Sequence, residues 1–280
     1  MYLSLNILEE AVQSKSRLEA LAFCMQVKGV YSSSALHYTR VRGDRSHLEA
    51  VCRVFSIGKV KLSRLIKNGL KYGYLRQEGD LIIANKITAK DYKININIES
   101  YNKANDNIRI QKMLQKAFIV NHIRKVEYVA HTFIRARGRI TDLKQLKSRK
   151  KNIARWEKEL ERCGVKKNSK VSGRISYETL ADKCNITRQR AILLVNELIE
   201  EGIISKEYFF KEQKVFFEKN ELADKIYLDK VQGNSRQRGY LRRFFNPITN
   251  KIGLFIQLSN IYRVLSDSNY NLMKNYVFKY

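Results

Sequence analysis

Arg188, Gln189 and Arg190 follow Thr187, and Asn196 stands further along the same run. These side chains have the donor and acceptor patterns that read base-pair edges. Arginine can donate to guanine O6 and N7 together, and glutamine or asparagine can bond adenine N6 and N7 together. An earlier run holds Lys59, Lys61, Ser63, Arg64, Lys67 and Lys71. That set is more uniformly cationic and suits phosphate oxygens, which position a protein without carrying sequence information. Two further basic clusters follow, Lys147, Arg149, Lys150 and Lys151, and then Arg242 and Arg243. Any one of these cations could be an ordinary solvated side chain. The whole chain, however, has 54 Lys and Arg against 27 Asp and Glu, for a net charge of +27. Such an excess repels itself and favours a polyanionic partner, with nucleic acid ahead of an anionic membrane.

Other chemistries lack their residues. There is no GxxxxGK[ST] loop to cradle a nucleotide, and "GNSRQRG" has glycines but no Lys-Ser or Lys-Thr pair. The four histidines, His37, His47, His122 and His131, form neither HExxH nor a His-x-His pair. Sixteen tyrosines therefore have no metal site beside them of the kind a DNA-nicking tyrosine uses. The four cysteines, Cys24, Cys52, Cys163 and Cys184, include no CxxC pair and read as small buried hydrophobes. Carboxylates are scattered. The expectation is a non-enzymatic protein with no catalytic residues, no cofactor and no metal. No apolar run approaches the ~18–20 residues that cross a bilayer. The first ten residues lack the basic start and long apolar stretch of a signal peptide. A cytoplasmic protein with no membrane partner is expected. Abundant Lys, Asn, Ile and Tyr with a lone proline, Pro247, match AT-rich codons and a low-GC bacterial, phage or plasmid genome.

The elements that must present the two basic runs are repeated. "LEAVCRVFSIGKVKLSRLIKNGLKYGYL" (48–75) lies over "YETLADKCNITRQRAILLVNELIEEGII" (177–204) at a constant offset of 129 residues, without a gap. Val51 meets Leu180, Phe55 meets Cys184, Ile57 meets Ile186, Leu65 meets Leu194 and Gly73 meets Gly202. Apolar residues recur at three- and four-residue steps on both sides of a short break, so each copy predicts helix, tight turn, helix. Ser176 and Thr187 are placed to cap the two helices of the second copy, and Ser46 and Ser56-Ile57-Gly58 hold the matching places in the first. Gly73 and Gly202 suit the left-handed residue that ends a helix. After each glycine the period changes to two. The first copy predicts strand, turn at Glu78–Asp80, strand; the second predicts a strand, a turn near Lys211–Gln213, and the strand Val215–Phe217.

Helix, turn, helix and hairpin is the winged-helix pattern, and "ISYETLADKCNITRQRAILLVNELIEEGII" resembles winged-helix domains. Two such modules in one chain, separated by a long helix and a basic segment, resemble the theta-type plasmid and phage replication initiators. "QLSNIYRV" resembles the last wing strand of such replication proteins. The resemblance implies two winged helices on repeated origin DNA, with double-stranded DNA as partner and a second copy and host replication proteins as further partners. The second module would read bases and the first would grip the backbone. The alternatives are a transcriptional regulator of a mobile element, or a basic structural or RNA-associated phage protein without sequence preference.

The expected fold is mainly α with small β-hairpins, an α+β chain. Residues 1–100 form the first winged-helix domain, 101–170 a helical basic connector, 171–220 the second winged-helix core, and 221–280 a C-terminal helix and hairpin. "SRLEALAFCMQVKGVY" predicts the first helix of module one, and "SSSALHYTRVRGDR" a polar loop. Residues 107–139 predict a long helix with Ile110, Leu114, Ala117, Phe118 and Ile123 toward a core. A second helix is predicted from a Thr141 cap to Gly164, with Trp156 as a packing anchor. "VKKNSKVSGR" reads as a linker and "NELADKIYLDKVQ" as a short helix. Residues 240–264 predict a hairpin with Arg242 and Arg243 near its base.

Overall fold

Local periodicity builds the helices, and a left-handed corner separates the paired helices of each copy of the repeat. A computed structural model describes residues 2–30, 35–37, 45–87, 93–95, 106–137, 144–165, 174–207, 210–218, 241–246, 251–257 and 260–265. The chain opens with β1 (Tyr2–Ser4), α1 (Leu5–Val12), α2 (Lys15–Val30) and β2 (Ala35–His37). The first copy of the repeat follows as α3 (Arg45–Val54) and α4 (Lys59–Lys71), then β3 (Leu75–Glu78) and β4 (Leu81–Ala84). After β5 (Lys93–Asn95) come two long helices, α5 (Asp106–Arg137) and α6 (Lys144–Arg162). The second copy is α7 (Tyr177–Cys184), α8 (Arg188–Glu200) and β6 (Ile204–Glu207). The remaining strands are β7 (Phe210–Glu218), β8 (Leu241–Asn246), β9 (Lys251–Gln257) and β10 (Ile261–Val264). The described residues are thus mostly helical with small antiparallel sheets, consistent with the α+β class that the sequence predicts.

Two units divide the chain. One comprises Met1–Lys125, Tyr177–Ile204 and Val264–Tyr280; the other comprises Val126–Ser176 and Ser205–Arg263. In the first unit α2 is the centre of the core, with Leu18 and every residue from Ala20 to Val27 buried. Phe23 meets Phe55 edge-on with ring centroids 5.2 Å apart. Burying a side chain of this size contributes about 1.5–3 kcal/mol. From α4, Leu62, Leu65 and Ile66 complete the apolar layer. Asn107 fixes the start of α5 there, donating from Nδ2 to Gln26 Oε1 at 3.0 Å and to the Glu19 carbonyl at 3.3 Å.

The five apolar residues predicted to face a core from the long helix are all buried. Met113, Ile119 and Val120 are buried too, so this stretch is covered on more than one face. In the second unit Trp156 is half-buried and meets Tyr128 edge-on at 6.2 Å, which fits a packing role. Gly164 takes a left-handed φ of 79° just past α6, where the sequence predicts the helix to stop.

Four local expectations are corrected. The polar loop before the first copy contains β2, which joins β4 and β3 in a three-stranded sheet of order β2-β4-β3. Leu36 is fully buried in that strand, and three positions are too short a run to show period two. Ser46 lies inside α3, which starts at Arg45, so it is not the preceding cap. Lys211–Gln213 are strand, not turn. They pair with Leu254–Ile256 of β9, and the irregularity falls after them, between Gln213 and Phe216. Finally, residues 240–264 do not form one hairpin. β8 and β9 pair as predicted, but β10 leaves them to pair with β6. Tertiary partners override local turn composition in both cases, because strand propensity measures fit to a neighbour. Thr141 and the helix predicted in 220–232 lie outside the described residues, as does most of the linker predicted over 165–174.

Candidate nucleic-acid interface

The two copies match in backbone as well as in sequence. The helix-to-helix corner is left-handed at Ser56 (φ 48°) and at Asn185 (φ 49°), residues 129 positions apart. The residue before the second helix is extended in each: Gly58 at φ −73°, ψ 157° and Thr187 at φ −69°, ψ 152°. Thr187 accepts a hydrogen bond at Oγ1 from the Arg190 amide at 3.2 Å, the predicted cap. Gly58 has no side chain to do the same, so the first copy starts its helix on backbone geometry alone.

Both second helices are 13 residues long and end alike. Gly73 and Gly202 take φ 70° and 68°. The Tyr74 amide donates to the Gly69 carbonyl, and the Ile203 amide to the Leu198 carbonyl, both at 2.9 Å. This closing bond satisfies a carbonyl that the helix end leaves open. A four-residue strand then follows in each copy.

Burial also repeats. Leu62, Leu65, Ile66 and Gly69 are buried on α4; Ala191, Leu194, Val195 and Leu198 are buried on α8 at the corresponding positions. The predicted site residues therefore lie on the other side. Lys59, Ser63, Arg64, Lys67 and Lys71 are exposed and Lys61 is half-buried. Thr187, Arg188, Gln189 and Asn196 are exposed and Arg190 is half-buried.

The two helices differ in charge. Along α4 there are five cations and no carboxylate. Along α8, Arg188 and Arg190 stand in the first turn, while Glu197 and Glu200 stand toward the C-terminal end. A phosphate chain can lie along α4, but it can approach α8 favourably only at its N-terminal end. That end also carries the positive pole of the helix dipole.

Carboxylates hold several of these cations. Lys59 Nζ donates to Glu49 Oε1 at 2.9 Å, Arg64 Nη2 to Glu19 Oε2 at 3.2 Å, and Arg188 Nε to Glu178 Oε1 at 2.6 Å. At the far end of α8, Lys112 Nζ stands 2.6 Å from Glu197 Oε1, and the buried Lys116 Nζ 2.8 Å from Glu197 Oε2 and 2.5 Å from Glu201 Oε1. Burial favours the neutral form of Lys116, but Glu197 and Glu201 outweigh it and raise the ammonium above its ordinary pKa. Glu197 is likewise pushed up by burial and, on balance, pulled below the usual carboxylate range by Lys112 and Lys116. This cluster fixes α8 to α5 and leaves its N-terminal turn outward.

The other predicted cations belong to the second unit. Lys150 and Lys151 are exposed on α6; Lys147 and Arg149 lie on the same helix. Arg242 and Arg243 lie in β8, opposite Phe255 and Leu254 of β9, at the end of the hairpin away from its turn. Among the described residues no group of His, Cys, Asp or Glu is placed to hold a metal ion. Cys24 and Cys184 are buried, and burial pushes each thiol up to about 12, far from a nucleophile.

Three features were missed from sequence. Val60, 86% exposed, and Leu193, 55% exposed, stand on the outward stripes among the polar residues. Glu49 and Glu178 are the third. They occupy the same position of the repeat and hold the cation that opens the next helix. Their identity across the offset was the available signal. No protein-family model, no curated protein and no solved structure matches this chain. Among the described residues no helix is long and apolar enough to cross a membrane.

Proposed function

We propose that this chain is a non-enzymatic, sequence-specific double-stranded DNA-binding protein with two winged helices, acting as a plasmid or phage replication initiator. The observation that carries the reading is the duplicated helix, left-handed corner and second helix, each with its apolar face buried and its basic residues outward. A helix about 10–12 Å across fits a major groove about 12 Å wide. The three-stranded sheet packed on α2 and α4 supports a winged helix in the first copy. In the second copy β10 takes the place of the neighbouring hairpin strand, and it contains the "IYRV" of the segment that resembles a wing strand of replication proteins.

In this reading α8 enters the groove by its N-terminal turn, because the exposed Glu200 repels phosphates from its other end. Arg188, Gln189, Arg190 and Asn196 then face base edges. The cationic stripe of α4 runs along phosphates, and Lys147, Arg149, Lys150, Lys151, Arg242 and Arg243 add further backbone contacts. With ~6–10 phosphates neutralised, affinity falls roughly 10³–10⁵-fold between 50 and 200 mM salt.

Selection of bound fragments from a random duplex pool tests the reading. An enriched sequence with two half-sites is the expected result; binding with no enrichment overturns it. Initiation is tested on supercoiled plasmid carrying the selected site. Thymines next to that site become reactive to permanganate if the protein opens the duplex, and stay unreactive if it only occupies it.

A further inference from the structure

Val60 is the most exposed large apolar side chain among the described residues, at 86%. A lone exposed valine is ordinary on a protein surface, so its position is what matters here. On a helix of about 3.6 residues per turn, Val60 stands about 180° from the buried Gly69 and about 160° from the buried Leu62. It therefore points straight away from the core, on the line that Lys67 and Lys71 continue. One turn on, Ser63 and Arg64 stand exposed to either side of that line. Across the offset of 129, Val60 meets Gln189, and each is the second residue of its helix. Gln189 is exposed as well. Helix propensity does not favour valine at such a place, because its branched side chain makes it a poorer helix former than the lysines around it.

Resting on the DNA-binding reading above, we infer that Val60 reads sequence by meeting the 5-methyl group of a thymine in the major groove. Any polyanion drawn to the cations of α4 comes to lie over Val60 as well. A phosphate offers a valine nothing, since its outer atoms are charged oxygens. Base-pair edges in the major groove carry donors, acceptors and one apolar group, the thymine methyl. A valine set against that methyl removes both from water. Against a purine edge the same valine strands polar atoms without partners. The first module then selects sequence as well as gripping the backbone. The occupant is DNA and not RNA: uracil lacks the methyl, and side chains cannot read the deep, narrow major groove of an A-form helix.

The test pairs protein and base substitutions. Each thymine of the selected duplex is replaced singly by deoxyuridine, which removes the methyl and nothing else. At one thymine the wild-type protein should bind roughly four-fold more weakly, the effect of one methyl-sized group leaving an apolar contact. Val60→Ala should lose a similar factor on the intact duplex and nothing further on that uracil duplex, so the two losses do not add. Losses that add at every thymine, or no loss at any, overturn the inference. Equal weakening by Val60→Ala on the selected duplex and on a scrambled duplex of the same composition also overturns it. Alanine is the better helix former, so a thermal melt of Val60→Ala should show a fold at least as stable. Selection repeated with Val60→Gln, which copies the second module at this position, should no longer enrich that thymine. Its continued enrichment overturns the inference. If the wild-type protein enriches no sequence, the DNA-binding reading fails and takes the inference with it. If it does enrich one, the substitutions decide the inference alone.

Discussion

Asn185 donates from Nδ2 to the Gln13 carbonyl at 2.8 Å, and Gln13 returns a bond from Nε2 to the Lys183 carbonyl at 2.6 Å. This reciprocal clasp joins the end of α1 to the α7–α8 corner, its two bonds spanning 170 and 172 residues of chain. The corner residue is itself left-handed, a conformation that asparagine tolerates better than most side chains.

Asn185→Gly therefore keeps the backbone and loses the bond, while Asn185→Ala loses both. Glycine should cost about 0.5–1.5 kcal/mol, the net value of one hydrogen bond. Alanine should cost about 1–2 kcal/mol more, for a non-glycine residue forced left-handed. Urea unfolding of the two variants, with Gln13→Ala beside them, checks the order.

Gly69 sits buried in the middle of α4, where alanine would ordinarily gain about 0.5–1 kcal/mol. Here a Cβ would fall 2.4 Å from Leu75 Cδ1 and 2.7 Å from its Cγ. Overpacking of this kind costs about 1–3 kcal/mol, so Gly69→Ala should destabilise. Its penalty should shrink in a Leu75→Val background, as read by a thermal melt of the single and double variants.

The Lys112, Lys116 and Glu197 cluster gives stability a defined pH window. Glu197 has its folded pKa lowered, so its contribution is present above its unfolded value and is lost as pH falls through the acid range. Lys116 has its folded pKa raised above the ordinary 10.5, so its contribution holds below that value and is lost as pH rises past it. Lys116→Met should flatten both limbs and leave α8 less firmly held. Unfolding measured across pH would show the change; an unaltered acid limb would contradict the coupling.

DNA binding should separate the two helices. Arg190→Ala should cost about 1–3 kcal/mol on the selected duplex and relax preference at one base pair. Lys67→Ala should weaken every duplex alike and reduce the salt slope by about 1. Anisotropy titrations with single-base variants of the selected duplex distinguish the two patterns.

How much of this was legible beforehand follows from the range of the forces involved. Helix, corner, helix and terminal glycine were fixed by residues within a few positions of each other. Apolar spacing, left-handed tolerance at Gly73 and Gly202, and the Thr187 cap all act locally, so periodicity found the elements and the outward basic stripes. Tertiary structure alone decided that β10, not β7, pairs with β6, and that β2 adds a third strand to the first hairpin. It also decided that Glu49 and Glu178 reach the cations beyond the corner, and that Gln13 closes on Asn185. A strand edge takes whichever distant partner fits it, and an ion pair across a turn depends on the angle of that turn, neither of which the order of residues states.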